Sequence, residues 1–233
     1  MKTIAFIPIT EKSLQFFYES EKIIKEKPTI IRIYDLIKKS SFISDVYICY
    51  EGSRLGNFLN RYKVKKIKTS SNHKTGSDRI GEAYIKLNRK YDFILNFFGY
   101  DDNLSPYQIN NLLKYHFKNK NTDIVIPLYK SLYPENTNLV KAVINKKKEV
   151  MYLSRNKLPF VTSNKNNNFY EHSNIISFTN DGLDKFLELK RSKYELVENI
   201  ELLRALENSM KIKTILLSRD SYSAVKKRIK SFK

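Results

Sequence analysis

Cysteine is nearly missing from this 233-residue chain. Cys49 stands alone, so no internal disulfide can form, and a reducing compartment is expected. It lies in "DVYICY" (45–50), an apolar run in which a buried strand thiol is expected rather than a reactive one. Long apolar runs are missing too: none approaches the roughly 18 residues that cross a bilayer, so no membrane-spanning helix is expected. The opening "MKTIAFIPIT" has a lysine and a short apolar run, but Pro8 and the following "EKS" cut it too short for a signal peptide. A cytoplasmic location without membrane attachment is the expectation. Internal repeats and low-complexity tails are also wanting. Acidic residues are outnumbered, 24 against 43 basic ones, for a formal charge of +19.

That excess of positive charge attracts polyanions in general, whether nucleic acid or nucleoside triphosphate. The basic runs "RYKVKKIK", "NKKKE" and "KKRIKSFK" are dispersed, and none interleaves aromatics into a nucleic-acid motif. A solvated basic face that steers small anionic substrates is therefore expected, and a nucleic-acid partner is not. A hydrophobic share of 41%, with 14 Phe and 16 Tyr, gives a globular chain able to bury a core.

Short apolar runs alternate with amphipathic segments. Strands are predicted over 3–9, 45–50, 92–98, 123–129, 139–144, 174–178 and 213–217, with "VKKIK" strand-like as well. Helices are predicted near 28–40, 52–62, 77–90, 105–119, 180–189, 193–208 and 221–231. This alternation implies an α/β fold, a mostly parallel sheet covered by helices on both faces. The last strand is expected beside 92–98. Residues 129–173, with "NKKKE" as a hairpin turn and "SNKNNN" as a polar loop, read as an insertion or arm on a single domain spanning 1–233.

Ligands of such sheets sit at the carboxyl ends of the strands. Two loops put chemistry there. "SNHKTGSDR" (70–79) follows a strand and opens a helix, where free N–H groups and the helix dipole favour an anion and Gly76 permits close approach. Ser77 or Asp78 as a plain helix cap, with His73 on the surface, is the alternative. "LNFFGYDDNLSP" ends a buried strand in a glycine and two carboxylates, a common arrangement for Mg²⁺ against phosphates; an Asx-rich turn is the alternative there.

Order and spacing resemble the CMP-KDO synthetases, the cytidylyltransferases that activate 3-deoxy-manno-octulosonate (KDO). "HKTGSDRIGE" (73–82) resembles the family's His, Ser-Gly-Thr, acid, Arg and later Glu. "ENTNLVKAVI" resembles its Asn-rich turn before Val-Lys, "LSRNKLPF" its Ser-Arg segment, and "SKYELVENIELLRAL" (192–206) its glutamate-rich helix. The resemblance implies a three-layer α/β/α nucleotide-diphosphosugar-transferase fold, usually dimeric. It implies attack by the anomeric hydroxyl of an acidic sugar on the α-phosphorus of CTP, with Mg²⁺ and loss of pyrophosphate. It places His73, Thr75, Gly76, Ser77, Asp78 and Arg79 along the nucleotide, and Lys141, Arg155, His172, Glu195 and Glu198 near the sugar acid. Asp101 corresponds best to one metal aspartate, with Asp102 next to it in register, and Asp220 corresponds to the other.

The opening segment departs from that pattern. Pro8, Ser13, Lys27 and Pro28 keep their places, leaving Ser13 as a nucleotide contact and Lys27 as a catalytic cation. Thr10 and Gln15 stand where the family's arginines belong, Tyr18 and Glu19 stand for its Gly and Lys, and Glu11 and Glu19 add negative charge. The alternative is a non-catalytic relative that binds a nucleotide or sugar or serves as a partner subunit.

Overall fold

The computed structural model describes residues 1–15, 27–88, 91–98, 105–162 and 168–218. Asp101, Asp102, Glu19, Asp220 and the helix predicted at 221–231 lie outside them. Among the described residues ten strands form one sheet. They are β1 (Thr3–Pro8), β2 (Asp45–Tyr50), β3 (Lys66–Lys68), β4 (Phe93–Phe97), β5 (Ile124–Lys130), β6 (Lys141–Ile144), β7 (Val150–Ser154), β8 (Tyr170–His172), β9 (Ile175–Thr179) and β10 (Ile212–Leu216). The α-helices lying wholly within the described residues are α1 (Thr29–Ile37), α2 (Ser53–Asn60), α3 (Gly76–Lys86), α4 (Pro106–Lys118), α5 (Asn180–Glu188), α6 (Lys193–Glu198) and α7 (Leu202–Glu207).

β1 is buried along its whole length, as its unbroken apolar run requires of a strand covered on both faces. Its side chains divide by parity. Ile4 and Phe6 join Ile80, Ala83, Leu183, Phe186 and Leu203 of α3, α5 and α7 on one face. Ala5 and Ile7 join Ile30, Ile33, Phe58, Leu59 and Leu112 of α1, α2 and α4 on the other. The period of two along the strand thus builds three layers.

β1 lies between β2 and β4, parallel to both, and β3 is parallel to β2. β9 then runs antiparallel between β4 and β5. β10 pairs parallel with β5, opposite Ile124–Leu128, not with β4 as expected: β9 has taken the free edge of β4. The stretch read as an arm continues the sheet. β8 pairs with β5, β6 with β8 and β7 with β6, all antiparallel. "NKKKE" closes the β6–β7 hairpin, with Asn145 Oδ1 accepting from Lys147 N and Glu149 N.

The helix predicted over 193–208 is two. Asn199 ends α6 at φ 52°, the left-handed region that asparagine tolerates better than most residues. The chain turns there and restarts at Leu202, which directs Glu201 and Arg204 back to the start of α3.

Candidate active site

The carboxyl ends of β1 and β4 meet the start of α3. A Cβ on Gly76 would lie 3.0 Å from Phe98 Cε1 and 3.2 Å from Pro8 Cγ, so only glycine lets the helix close onto both strand ends without displacing a ring. Thr75 caps α3 by accepting from Asp78 N at 3.1 Å. Ser77 turns away from the helix, and its N–H and hydroxyl both donate to the Glu201 carboxylate, at 3.1 and 2.7 Å. Asn96 Nδ2 donates to the same hydroxyl at 3.1 Å. Burial raises the Glu201 pKa even against those donors.

The side chains around this turn are locked. Arg79, buried, donates to Thr69 Oγ1 at 2.7 Å, to Ser70 O at 3.1 Å and to Glu51 at 2.8 Å. His73 Nε2 meets Glu82, which also receives Ser70 N and Lys86. Burial raises the Glu82 pKa, but the hydrogen bonds from Lys86, His73 and Ser70 outweigh it and hold the carboxyl at about 2. Arg204 forks onto Glu195 at 2.9 and 2.6 Å and reaches Asp78 at 2.9 Å, with its guanidinium 4.7 Å from the Phe186 ring centroid.

A cavity of about 380 Å³ opens beside this turn. Thr75, Gly76 and Phe98 form one wall, the α6–α7 break forms another with Glu195, Asn199 and Glu201, and the strand ends bring Arg155 and His172. Among the described residues the Arg155 guanidinium donates to backbone carbonyls, those of Glu198 at 3.0 Å, Asn199 at 3.1 Å and Thr137 at 3.4 Å. Lys74 lines the mouth, with no hydrogen bond or ion pair among the described residues. The lining carries Lys74, Arg155 and Arg191 against Glu171, Glu195 and Glu201, and Glu195 is held by Arg191 and Arg204. Lys74 and Arg155, which form no ion pair among the described residues, are the lining groups able to meet an anion.

The family model described as Cytidylyltransferase matches residues 22–212. The 3-deoxy-manno-octulosonate cytidylyltransferase of Thermodesulfovibrio yellowstonii is 33% identical over 238 residues, covering 95% of this chain and 92% of its own. That of Parabacteroides distasonis is 32% identical, covering 91% and 89%. The chain belongs to the 3-deoxy-manno-octulosonate cytidylyltransferase family. A solved CMP:2-keto-3-deoxy-manno-octonic acid synthetase complexed with CTP overlays it with a TM-score of 0.82, covering 100% of this chain and 99% of that one. At 21% identity that likeness bears on the fold.

The residues picked out by resemblance to the family fall into three groups. Thr75, Gly76, Arg155, His172 and Glu195 line the cavity. His73, Ser77, Asp78, Arg79, Lys141 and Glu198 sit behind that lining as braces. Lys141, fully buried, donates to Asn136 O and Leu139 O at 2.7 Å and to Arg155 O, and burial lowers its pKa. Glu198 accepts from Ser154 Oγ at 2.7 Å and Arg155 N at 3.0 Å, which fixes the Arg155 turn. Ser13 and Lys27 form the third group, away from the cavity lining. Ser13 is buried in a single 3₁₀ turn, Glu11–Ser13, and Lys27 pairs with Asp35 at 2.6 Å. Lys74, Gln108, Arg191, Ser173 and Glu201 line the cavity without having been singled out. Gln108 carried one signal, the Ser105–Gln108 capping box.

His172 donates from Nε2 to Ile175 O at 3.1 Å, and burial pushes its pKa down to about 4. His116, buried behind the sheet, meets Ser177 Oγ at 2.7 Å and Thr122 O at 3.0 Å and is likewise pushed down by burial to about 4. For a base with a lowered folded-state pKa, the unfolded chain takes up protons that the folded one refuses. Stability is therefore expected to fall as pH drops from about 6.5 toward 4, with His116 alone accounting for about 3 kcal/mol once pH is below 4. Urea midpoints measured between pH 7 and pH 4 should fall less steeply in His116→Gln than in the parent. An equal slope would assign the acid sensitivity to other groups.

Proposed function

We propose that the protein transfers CMP from CTP to the anomeric hydroxyl of KDO, releasing pyrophosphate. The observation that carries this reading is the cavity between the Gly76 turn and the α6–α7 break, with Lys74 and Arg155 in its lining, at the carboxyl edge of the sheet in a chain of this family. Chemistry at phosphorus needs alignment and charge neutralisation more than a protein nucleophile. Arg155 and Lys74 supply fixed and mobile positive charge, the α3 turn supplies a close backbone surface at Gly76, and neutral His172 adds a hydrogen-bonding group.

Mg²⁺ is part of the proposal, held by Asp101 and Asp220, and would withdraw charge from the phosphates. Both aspartates lie outside the described residues, among which no cluster of three His, Cys, Asp or Glu side chains could hold a metal. The last described residues before each of them lie at or next to the cavity wall. Phe98, which lines it, precedes residues 99–104, and Ser218 O, just before Asp220, accepts from Gln108 Nε2 at 2.7 Å in the same wall.

The test is pyrophosphate release with CTP, KDO and Mg²⁺. Release is expected with CTP and KDO together, is expected to stop with EDTA, and is expected to return with added Mg²⁺. Release that persists through chelation would remove the metal from the proposal. The changed segment 10–19 favours a non-catalytic relative as the second reading; calorimetric CTP binding without any pyrophosphate release would select it.

A further inference from the structure

Three buried polar side-chain atoms lack a hydrogen-bond partner among the described residues: Thr3 Oγ1, Asn96 Oδ1 and Ser173 Oγ. Ser173 alone of these residues lines the cavity. Its backbone is satisfied, with its N–H donating to Pro127 O at 3.1 Å and its carbonyl accepting from Ile175 N at 2.7 Å. The residue is nearly sealed, at 3% exposure, yet its hydroxyl has no partner among the described residues. Neighbouring hydroxyls behave otherwise: Ser131 donates to Glu171, Ser154 to Glu198 and Ser77 to Glu201. A buried hydroxyl without a partner costs free energy, and such a group in a cavity wall points to a partner that arrives with a ligand.

Ser173 sits between His172 at the end of β8 and Asn174, which also lines the cavity. His172 keeps Nε2–H on Ile175 O and stays neutral, so His172, Ser173 and Asn174 offer uncharged hydrogen-bonding groups beside the Glu171 carboxylate, which accepts from Ser131, whereas Arg155 and Lys74 offer positive charge. Uncharged donors and acceptors match the hydroxyls of a sugar, and the cations match its carboxylate or the phosphates.

We infer that Ser173 is a sugar-recognition residue, its hydroxyl completing a hydrogen bond with one ring or side-chain hydroxyl of the acidic sugar. The inference rests on the reading of this cavity as the site for CTP and KDO. A wall built to pair with a substrate hydroxyl also discriminates against acids that lack it.

Ser173→Ala tests it with two readouts. In pyrophosphate release with CTP, Mg²⁺ and KDO, kcat/KM should fall about tenfold, the effect of one net hydrogen bond. The melting temperature of the ligand-free protein should stay level or rise, because an unpaired buried hydroxyl has been removed. With KDO analogues each lacking one hydroxyl, the penalty should vanish for a single analogue. Unchanged kcat/KM with KDO overturns the inference. So does a lowered melting temperature with an equal loss on every sugar, which marks a structural serine, and so does a penalty that persists on every analogue. Wild-type protein that binds CTP but releases no pyrophosphate with KDO also overturns it, leaving the nucleotide reading standing. Failure of the wild-type protein to bind CTP overturns both.

Discussion

Replacing Arg204 by methionine is expected to cost about 3–5 kcal/mol of folding stability, the range for stripping one partner from a buried ion pair. The guanidinium is 2% exposed and the Glu195 side chain 1%, so neither charge has water to fall back on. Arg204 joins three elements: Glu195 in the capping box of α6, Asp78 in the first turn of α3, and α7 itself. Without it, the Glu195 carboxylate keeps, among the described residues, Arg191 at 3.2 Å and the Ser192 N–H at 3.1 Å. Methionine refills the volume over Phe186 but pairs with nothing. At roughly 2–4 °C per kcal/mol for a domain this large, the melting temperature should drop by about 10 °C.

The pH profile gives the second arm of that test. Burial raises the pKa values of Asp78 and Glu195, but hydrogen bonds from Arg204, with the others each receives, outweigh it and lower both. For an acid with a lowered pKa, the stabilisation is present above its unfolded value near 4 and disappears as pH falls below it. The gap between Arg204→Met and the parent should therefore narrow in acid. Arg204→Lys should recover only part of the loss, since an ammonium cannot fork onto a carboxylate and reach a second one. A cost below about 1 kcal/mol at neutral pH, as for an exposed pair, would show that this network does not hold the α3–α6–α7 junction.

The layers were legible in the sequence because they follow from local periodicity. The apolar run of β1 and the helical spacing of Ile30, Ile33 and Ile37 place themselves with no knowledge of the rest of the chain. Pairing choices were less legible. β9 competes with β10 for the edge of β4, and both are short apolar strands; the sequence-adjacent α5 follows β9 and packs on α3. The chemistry-bearing loop shows the same limit. His73, Ser77, Asp78 and Arg79 read as ligands because they cluster at a helix start, but each has a partner elsewhere. Glu82 is a turn or two away, Glu51 is on the preceding connection, and Glu201 and Arg204 are more than a hundred residues distant. Nothing in a seven-residue window distinguishes a side chain aimed at a substrate from one aimed at a distant carboxylate. That a cap stands here was legible, since capping is itself local, but it was expected at Ser77 or Asp78 and falls at Thr75, with Asp78 N–H as its donor. The unpaired Ser173 hydroxyl was not, because an unmet bond is a property of the folded wall.

An arginine introduced at position 10 is expected to accelerate the reaction. By resemblance the segment after β1 should carry cations for the departing phosphates, and here Thr10 and Gln15 replace them. Losing one preorganised charge contact lowers turnover by about 10²–10³. The parent protein is therefore expected to turn over well below the usual 1–10³ s⁻¹, roughly. Glu11 does not add to the deficit as its charge suggests. Its Oε1 accepts from Arg54 N at 2.9 Å and its Oε2 lies 3.5 Å from Arg54 Nη2, so it is turned onto the start of α2. Gly52 makes room for it: at φ 76° a Cβ there would lie 2.0 Å from that oxygen. What the segment lacks is the arginines: it keeps Lys12, with Lys22 and Lys25 following, but Thr10 and Gln15 stand in the arginine places. Thr10 is a suitable place to return one, because the residue is extended at φ −122° and ψ 162° and its side chain makes no capping hydrogen bond among the described residues. Arginine adopts that backbone freely and reaches over the carboxyl edge of β1. Thr10→Arg should raise kcat about tenfold or more, within the range that one such contact supplies, with little change in melting temperature. Parent turnover at ordinary enzymatic rates, together with an inert Thr10→Arg, would show that the cations for pyrophosphate departure come from elsewhere in the chain, with Lys74 at the cavity mouth the first to test.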